Sequence, residues 1–295
     1  MGHIGFIGLG NMGLPMALSL LKAGYEVIGF DREQAPMRAL KEAGGRLAST
    51  LQETAVKQDI VITMLQTGEQ VESVCLDEHG LFATMSPGTL FIDCSTISVD
   101  VSRAVHAQAE LAKIFMVDAP VSGGVAGAMD ARLTFIVGGS DKAFQKAEPI
   151  LAYMGHAVLH MGAAGSGAAG KICNNMILGV SMIAVSEAFL LAEKLGLSAQ
   201  KFHALVSQAS GKCWVVDTYV PVPGVLPDVP ASHDYKPGFT SAMMLKDLRL
   251  AEEAASREGV HAGMGASARA IYEAADKANH DLDFSSIIRF IQTLN

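Results

Sequence analysis

His3-Ile-Gly-Phe-Ile-Gly8-Leu-Gly10-Asn-Met-Gly13 is an apolar strand that runs into a GxGxxG turn and then into a helical pattern. In such a turn the first glycine makes the tight bend, the second lets backbone approach a diphosphate, and the third lets helix pack on strand. The diphosphate would rest on the helix N-terminus, where unpaired N–H groups and the helix dipole favour an anion. A second strand pattern, Glu26–Phe30, ends at Asp31, 23 residues after Gly8. That is close to the spacing of the acid that accepts ribose hydroxyls. Gly8, Gly10, Asn11, Met12, Gly13 and Asp31 therefore read as a dinucleotide site. A carboxylate accepts two ribose hydroxyls and repels a 2′-phosphate, so Asp31 favours NAD over NADP; Arg32 beside it leaves some NADP use open. Asp31-Arg-Glu-Gln34 also reads as a helix N-cap with Gln three residues on, and both roles can coexist.

Outward from this turn, short apolar runs recur at 4–7, 26–30, 60–64, 89–93, 114–118, 134–137 and 156–160. Helical patterns such as 13–21, 35–43 and 99–111 separate most of them. Strand–helix alternation predicts a mostly parallel sheet covered on both faces. After about residue 165 long amphipathic patterns take over, at 168–195, 199–208, 241–258 and 264–279, with five of the ten prolines between Pro221 and Pro237. The expected architecture is an α/β Rossmann-type domain over 1–163 and an all-α domain over 164–295 that begins with a long interdomain helix. The stretch 168–192 holds only Lys171 and Glu187 as charges. A helix this apolar is expected to be buried on most sides, between the domains or in a subunit interface.

The 295 residues carry 22 Lys and Arg against 30 Asp and Glu, a net charge of −8 without a basic run. That argues against a nucleic-acid partner. Half the chain is apolar and mean hydropathy is +0.30, which excludes a disordered chain. The richest stretch, 172–192, is interrupted by Asn174, Asn175 and Glu187, so no membrane span and no membrane partner are expected. The N-terminus lacks the basic region of an export signal. Cys75, Cys94, Cys173 and Cys213 follow no CxxC or disulfide pattern and read as free thiols in a reducing cytoplasm. His156 and His160 stand four apart, but in a β-branched run, so no metal site is expected.

Two further stretches carry chemistry. Asp118-Ala-Pro-Val-Ser122-Gly123-Gly124 follows a strand at the edge where such sheets bind ligands. A Ser hydroxyl and Gly N–H groups there would hold a carboxylate, with a plain turn as the alternative. Asp93-Cys-Ser-Thr96 ends the preceding strand in the same crevice. In Gly165-Ser-Gly-Ala-Ala-Gly170-Lys171-Ile-Cys-Asn174-Asn175, Lys171 and Asn175 are four apart and share a helical face. A lysine in an apolar helix is costly unless paired or functional. Desolvation favours the neutral amine, which suits a group that gives and takes a proton. A snorkelling lysine at a helix start is the plain alternative.

Nearly the whole chain resembles the β-hydroxyacid dehydrogenase family, in its 3-hydroxyisobutyrate dehydrogenase branch. The resemblance is carried by GFIGLGNMGLPMA at the start, DCSTIS at 93–98, DAPVSGG at 118–124 and GSGAAGKICNN at 165–175. It continues in SGKCW at 210–214, PVPGV at 221–225 and KDLRLA at 246–251. It implies Lys171 as the catalytic acid/base and Asn175 as the residue that positions the substrate. Ser122, Gly123 and Gly124 would hold the carboxylate, with Phe239 and Asp247 contributing from the second domain. Leu65, Thr96, Lys246, Trp214 and Tyr219 would lie on the cofactor side. The family often has Asn after this tyrosine, where this chain has Val220.

The implied activity is NAD-dependent oxidation of a small 3-hydroxy acid. The family substrate, 3-hydroxyisobutyrate, gives methylmalonate semialdehyde, a step of valine breakdown. Tartronate semialdehyde reduction and oxidation of L-serine or a similar acid are alternatives within the class. A nucleotide-binding scaffold without catalysis is the alternative outside it, against which the Lys171/Asn175 pair stands. A homodimer or homotetramer is expected.

Overall fold

Among the described residues, nine strands build the first half: β1 (His3–Ile7), β2 (Glu26–Phe30), β3 (Arg46–Leu47), β4 (Ile60–Thr63), β5 (Leu90–Asp93), β6 (Phe115–Asp118), β7 (Val121–Ser122), β8 (Leu133–Gly138) and β9 (Gly155–Gly162). They form one sheet in the order β3-β2-β1-β4-β5-β6-β8-β7, with β9 also paired to β8. The pairs from β3 through β6 are parallel, as is β8 with β9, whereas β8 runs antiparallel to β6 and β7. The sheet is thus mostly parallel, as its near-continuous apolar runs require. Ile4, Phe6, Ile62, Ile92 and Val117 enter one buried cluster, while Ile7, Val61, Phe91 and Met116 enter another. Alternate residues therefore feed both faces, each large side chain contributing about 1.5–3 kcal/mol by leaving water.

The covering helices are α1 (Gly13–Lys22), α2 (Gln34–Glu42), α3 (Gly68–Leu76), α4 (Leu81–Thr84), α5 (Val99–Leu111), α6 (Gly124–Met129) and α7 (Asp141–Leu151). The second half is helical: α8 (Ser166–Lys194), α9 (Ala199–Val206), α10 (Trp214–Thr218), α11 (Ser241–Arg257), α12 (Gly263–Asn279) and α13 (Ile287–Thr293). Thr67, Ser98, Ser140, Ser198 and Thr240 start α3, α5, α7, α9 and α11, each accepting a first-turn amide on its hydroxyl. This computed structural model describes residues 2–294. The chain divides into two compact units between Lys171 and Ile172, inside α8 and past the 163/164 boundary read from the sequence. The second unit has its own core around Met182, Phe189, Met244, Leu248, Tyr272 and Phe284.

α8 departs from one expectation. By length and composition it is apolar enough to cross a membrane, because Asn174, Asn175 and Glu187 are diluted over its 29 residues. It is nevertheless an element of the folded chain: a Cβ on Gly179 would meet Leu248 Cδ2 and Met244 Sδ of α11 at 3.1 Å. Within this one chain 44% of its most apolar window is buried. Cys173, Ile177, Ala184, Glu187 and Leu191 are exposed at helical spacing along one side.

Candidate active site

The C-terminal ends of β1, β4, β5 and β6 lie at one sheet edge, and β1 is where the strand order reverses between β2 and β4. Ligands of such sheets bind outside this edge, at the reversal. The GxGxxG turn stands there. Gly8 has φ +88°, and a Cβ on it would meet Met64 O at 2.3 Å. A Cβ on Gly13 would sit 1.8 Å from Gly8 O, so α1 approaches β1 as only glycine permits. A Cβ on Gly10 meets nothing within 4 Å. That open space at the second glycine fits a bound diphosphate, with Asn11 and Met12 completing the turn.

Asp31 follows β2 and is already engaged. Its Oδ2 accepts from Leu9 N at 2.6 Å and its Oδ1 from Glu33 N at 2.8 Å. The carboxylate therefore fixes the glycine turn. It does not cap α2, contrary to one sequence reading: the cap position is Glu33, without a side-chain bond, because Asp31 closes a local turn two residues on.

Leu65 and Thr96 follow β4 and β5. Leu65 N donates to Ser95 Oγ at 2.9 Å, which joins the two loops. Beneath them Asp93 Oδ1 accepts from Thr63 Oγ1 at 2.8 Å and from Ser95 N at 3.1 Å. Ser122 lies in β7, opposite Thr134 of β8, followed by Gly123 at φ 130° and Gly124 at φ 63°. It stands on a short strand rather than in a plain turn. Lys171, only 7% exposed, sits in the second turn of α8, so it is not a snorkelling surface lysine.

In the second unit, Asn175 Nδ2 donates to Asp247 Oδ2 at 2.6 Å, and Lys246 Nζ lies 3.3 Å from Asp247 Oδ1. Asn174 Nδ2 donates to Asn175 Oδ1 at 3.0 Å, so the Asn175 amide is held from both ends. Trp214 stacks on Tyr219, and Tyr219 and Phe239 both pack on Phe284. Asp283, which the sequence did not single out, organises this cluster. Its Oδ2 accepts from Tyr219 Oη, Gly238 N and Phe239 N at 3.0, 3.0 and 3.2 Å. Its Oδ1 accepts from Ser285 N and Oγ at 3.0 and 2.7 Å. Burial raises the Asp283 carboxyl and, with the Asp283 charge, pushes the Tyr219 hydroxyl up. Val220 is fully buried in the core, which explains an apolar residue there.

The four cysteines are free. His156 Nδ1–H donates to Arg132 O and His160 Nε2–H to Gly139 O, both on β9.

A family model for the NAD-binding domain of 6-phosphogluconate dehydrogenase matches residues 3–162. One for the NAD-binding region of NADP-dependent 3-hydroxyisobutyrate dehydrogenase matches 165–291. The chain is similar to a solved Mycobacterium tuberculosis 3-hydroxyisobutyrate dehydrogenase with L-serine: 46% identity, TM-score 0.94, 99% of each chain covered. It is 42% identical over 288 residues to an NAD-dependent L-serine dehydrogenase of Pseudomonas aeruginosa, covering 97% of each. It is 41% identical over 290 residues to the mitochondrial 3-hydroxyisobutyrate dehydrogenase of Rattus norvegicus, covering 98% of this chain and 87% of that one.

Proposed function

Because the chain belongs to the 3-hydroxyisobutyrate dehydrogenase family of oxidoreductases, we propose that it oxidises 3-hydroxyisobutyrate, or a close small 3-hydroxy acid, with NAD. The product of the first is methylmalonate semialdehyde. The observation that carries the reading is a buried lysine, Lys171, in a helix whose first turn bonds to the strand leading to Ser122-Gly123-Gly124.

NAD, held by the turn Gly8–Gly13 and by Asp31, supplies the hydride acceptor when bound; Leu65, Thr96, Lys246, Trp214 and Tyr219 complete its surroundings. Ser122 Oγ and the amides of Gly123 and Gly124 hold the substrate carboxylate. Asn175, its amide oriented by Asp247 and Asn174, donates its second N–H to the substrate oxygen. Phe239 and Asp247 are the second unit's further contributions to substrate binding. Neutral Lys171 Nζ removes the hydroxyl proton in oxidation, and the protonated amine returns it in reduction. The enzyme is cytoplasmic and assembles as a homodimer or homotetramer through the exposed side of α8.

L-serine is the second reading, favoured by the 42% identical relative named for that substrate. Absorbance at 340 nm, with NAD and a panel of 3-hydroxyisobutyrate and L-serine, or with NADH and tartronate semialdehyde, ranks the substrates by kcat/KM. The proposal expects 3-hydroxyisobutyrate to lead; turnover of none would leave only the scaffold reading. Lys171→Ala is expected to lose about 10²–10⁴ in kcat, the usual contribution of a positioned acid/base, while NAD still binds by fluorescence titration. A normal kcat refutes the role.

A further inference from the structure

Two stretches are assigned to the substrate above, Ser122–Gly124 and the start of α8 with Lys171, and a single buried carboxylate joins them. Asp118 ends β6 and is 1% exposed. Its Oδ1 accepts from Gly165 N at 2.9 Å and its Oδ2 from Ala168 N at 2.8 Å. His106 of α5 places Nε2 2.8 Å from the same Oδ1. A carboxylate at this end of α8 also complements the helix dipole.

The cap is of an unusual kind within this chain. α3, α5, α7, α9 and α11 are each capped by the hydroxyl immediately before them. Amides at the start of α8 bond instead to a side chain 47 and 50 residues away in sequence. A local hydroxyl satisfies amides; a distant carboxylate also fixes where the helix starts on the sheet. The seating is tight: a Cβ on Gly167 would lie 2.3 Å from Ile136 O and 2.5 Å from Asp118 O. A Cβ on Gly138 would lie 2.6 Å from both Asp118 Oδ1 and Gly167 N. Ala168 precedes Lys171 by about one helical turn, and the strand that Asp118 ends leads directly to Ser122.

We propose that Asp118, braced by His106, is a positioning residue that sets the Lys171 amine in register with the carboxylate-holding turn. The proposal rests on Lys171 being the acid/base. Without the cap the first turn of α8 frays, and a displacement of about 1 Å at a reacting group costs up to ~10²-fold in rate.

The test compares full-length wild type, Asp118→Asn, Asp118→Ala and Lys171→Ala. The readouts are Tm, kcat and KM, and the primary isotope effect with 3-hydroxyisobutyrate deuterated at the carbon bearing the hydroxyl. Asp118→Ala is expected to lower kcat about tenfold or more, leave the KM for NAD within about twofold, and enlarge the isotope effect as chemistry becomes limiting. Asp118→Asn keeps one acceptor oxygen and should fall between the two, and it decides the matter if Asp118→Ala does not fold. A lowered Tm with unchanged kcat and isotope effect overturns the proposal and leaves Asp118 a structural cap. If Lys171→Ala keeps wild-type kcat, the acid/base reading fails first and the positioning role with it.

Discussion

Asp93 shows how a single buried group links stability to pH. Burial pushes its carboxyl up to about 6, bonds from Ser95 and Thr63 pull it down, and the nearby Asp118 raises it. Its Oδ2 has no hydrogen-bond partner among the described residues, so nothing on that side offsets the lost water. The folded chain thus holds a proton that the unfolded chain has released from a carboxyl titrating near pH 4. The stability this proton confers is complete below about pH 4 and is lost as pH rises through about 6. Asp93→Asn removes the titration. Denaturant unfolding should show wild type losing on the order of 1 kcal/mol against the variant between pH 5 and pH 8, roughly one unit of uncompensated titration. A difference that stays constant with pH would mean that Asp93 ionises normally.

The turn between β1 and α1 separates two kinds of glycine. Gly13→Ala drives a methyl into Gly8 O, so α1 must move off β1 and thermal unfolding should drop by several degrees, roughly the 4–8 °C that each kcal/mol costs in a small domain and less in a larger one. Gly10→Ala has free space around its methyl. It should leave Tm unchanged and raise the Kd for NAD, measured by fluorescence titration; equal NAD affinity would remove the diphosphate from that space. The sequence revealed these elements because strands buried on both faces read as continuous apolar runs and longer helices repeat at 3.6 residues. β3 and β7 span two residues each, too few for any period, so the short strand under Ser122 was not visible. α10 and α13, of five and seven residues, escaped for the same reason.

Ile177, Ala184 and Leu191 recur every seven residues along the exposed side of α8, with Ile177 65% and Leu191 61% exposed. If a second copy covers this side, Leu191→Glu should shift the mass measured by light scattering toward the protomer, with Tm falling in a concentration-dependent way. An unchanged mass removes α8 from the interface. The candidate site was readable where chemistry is local in sequence, as in the glycine turn or the Lys171/Asn175 pair. Roles for Phe239, Trp214 and Lys246 came only through resemblance. Asp283 and His106 were invisible, since their partners are brought to them by the fold from 44 and 12 residues away. Asp283 also bears on how such an enzyme changes over generations. It grips the chain at 238–239 through backbone N–H groups, while the Phe239 ring packs on Phe284. The two amide bonds act on whatever residue stands at 239, so replacing Phe239 would cost its packing on Phe284 and leave the backbone grip in place.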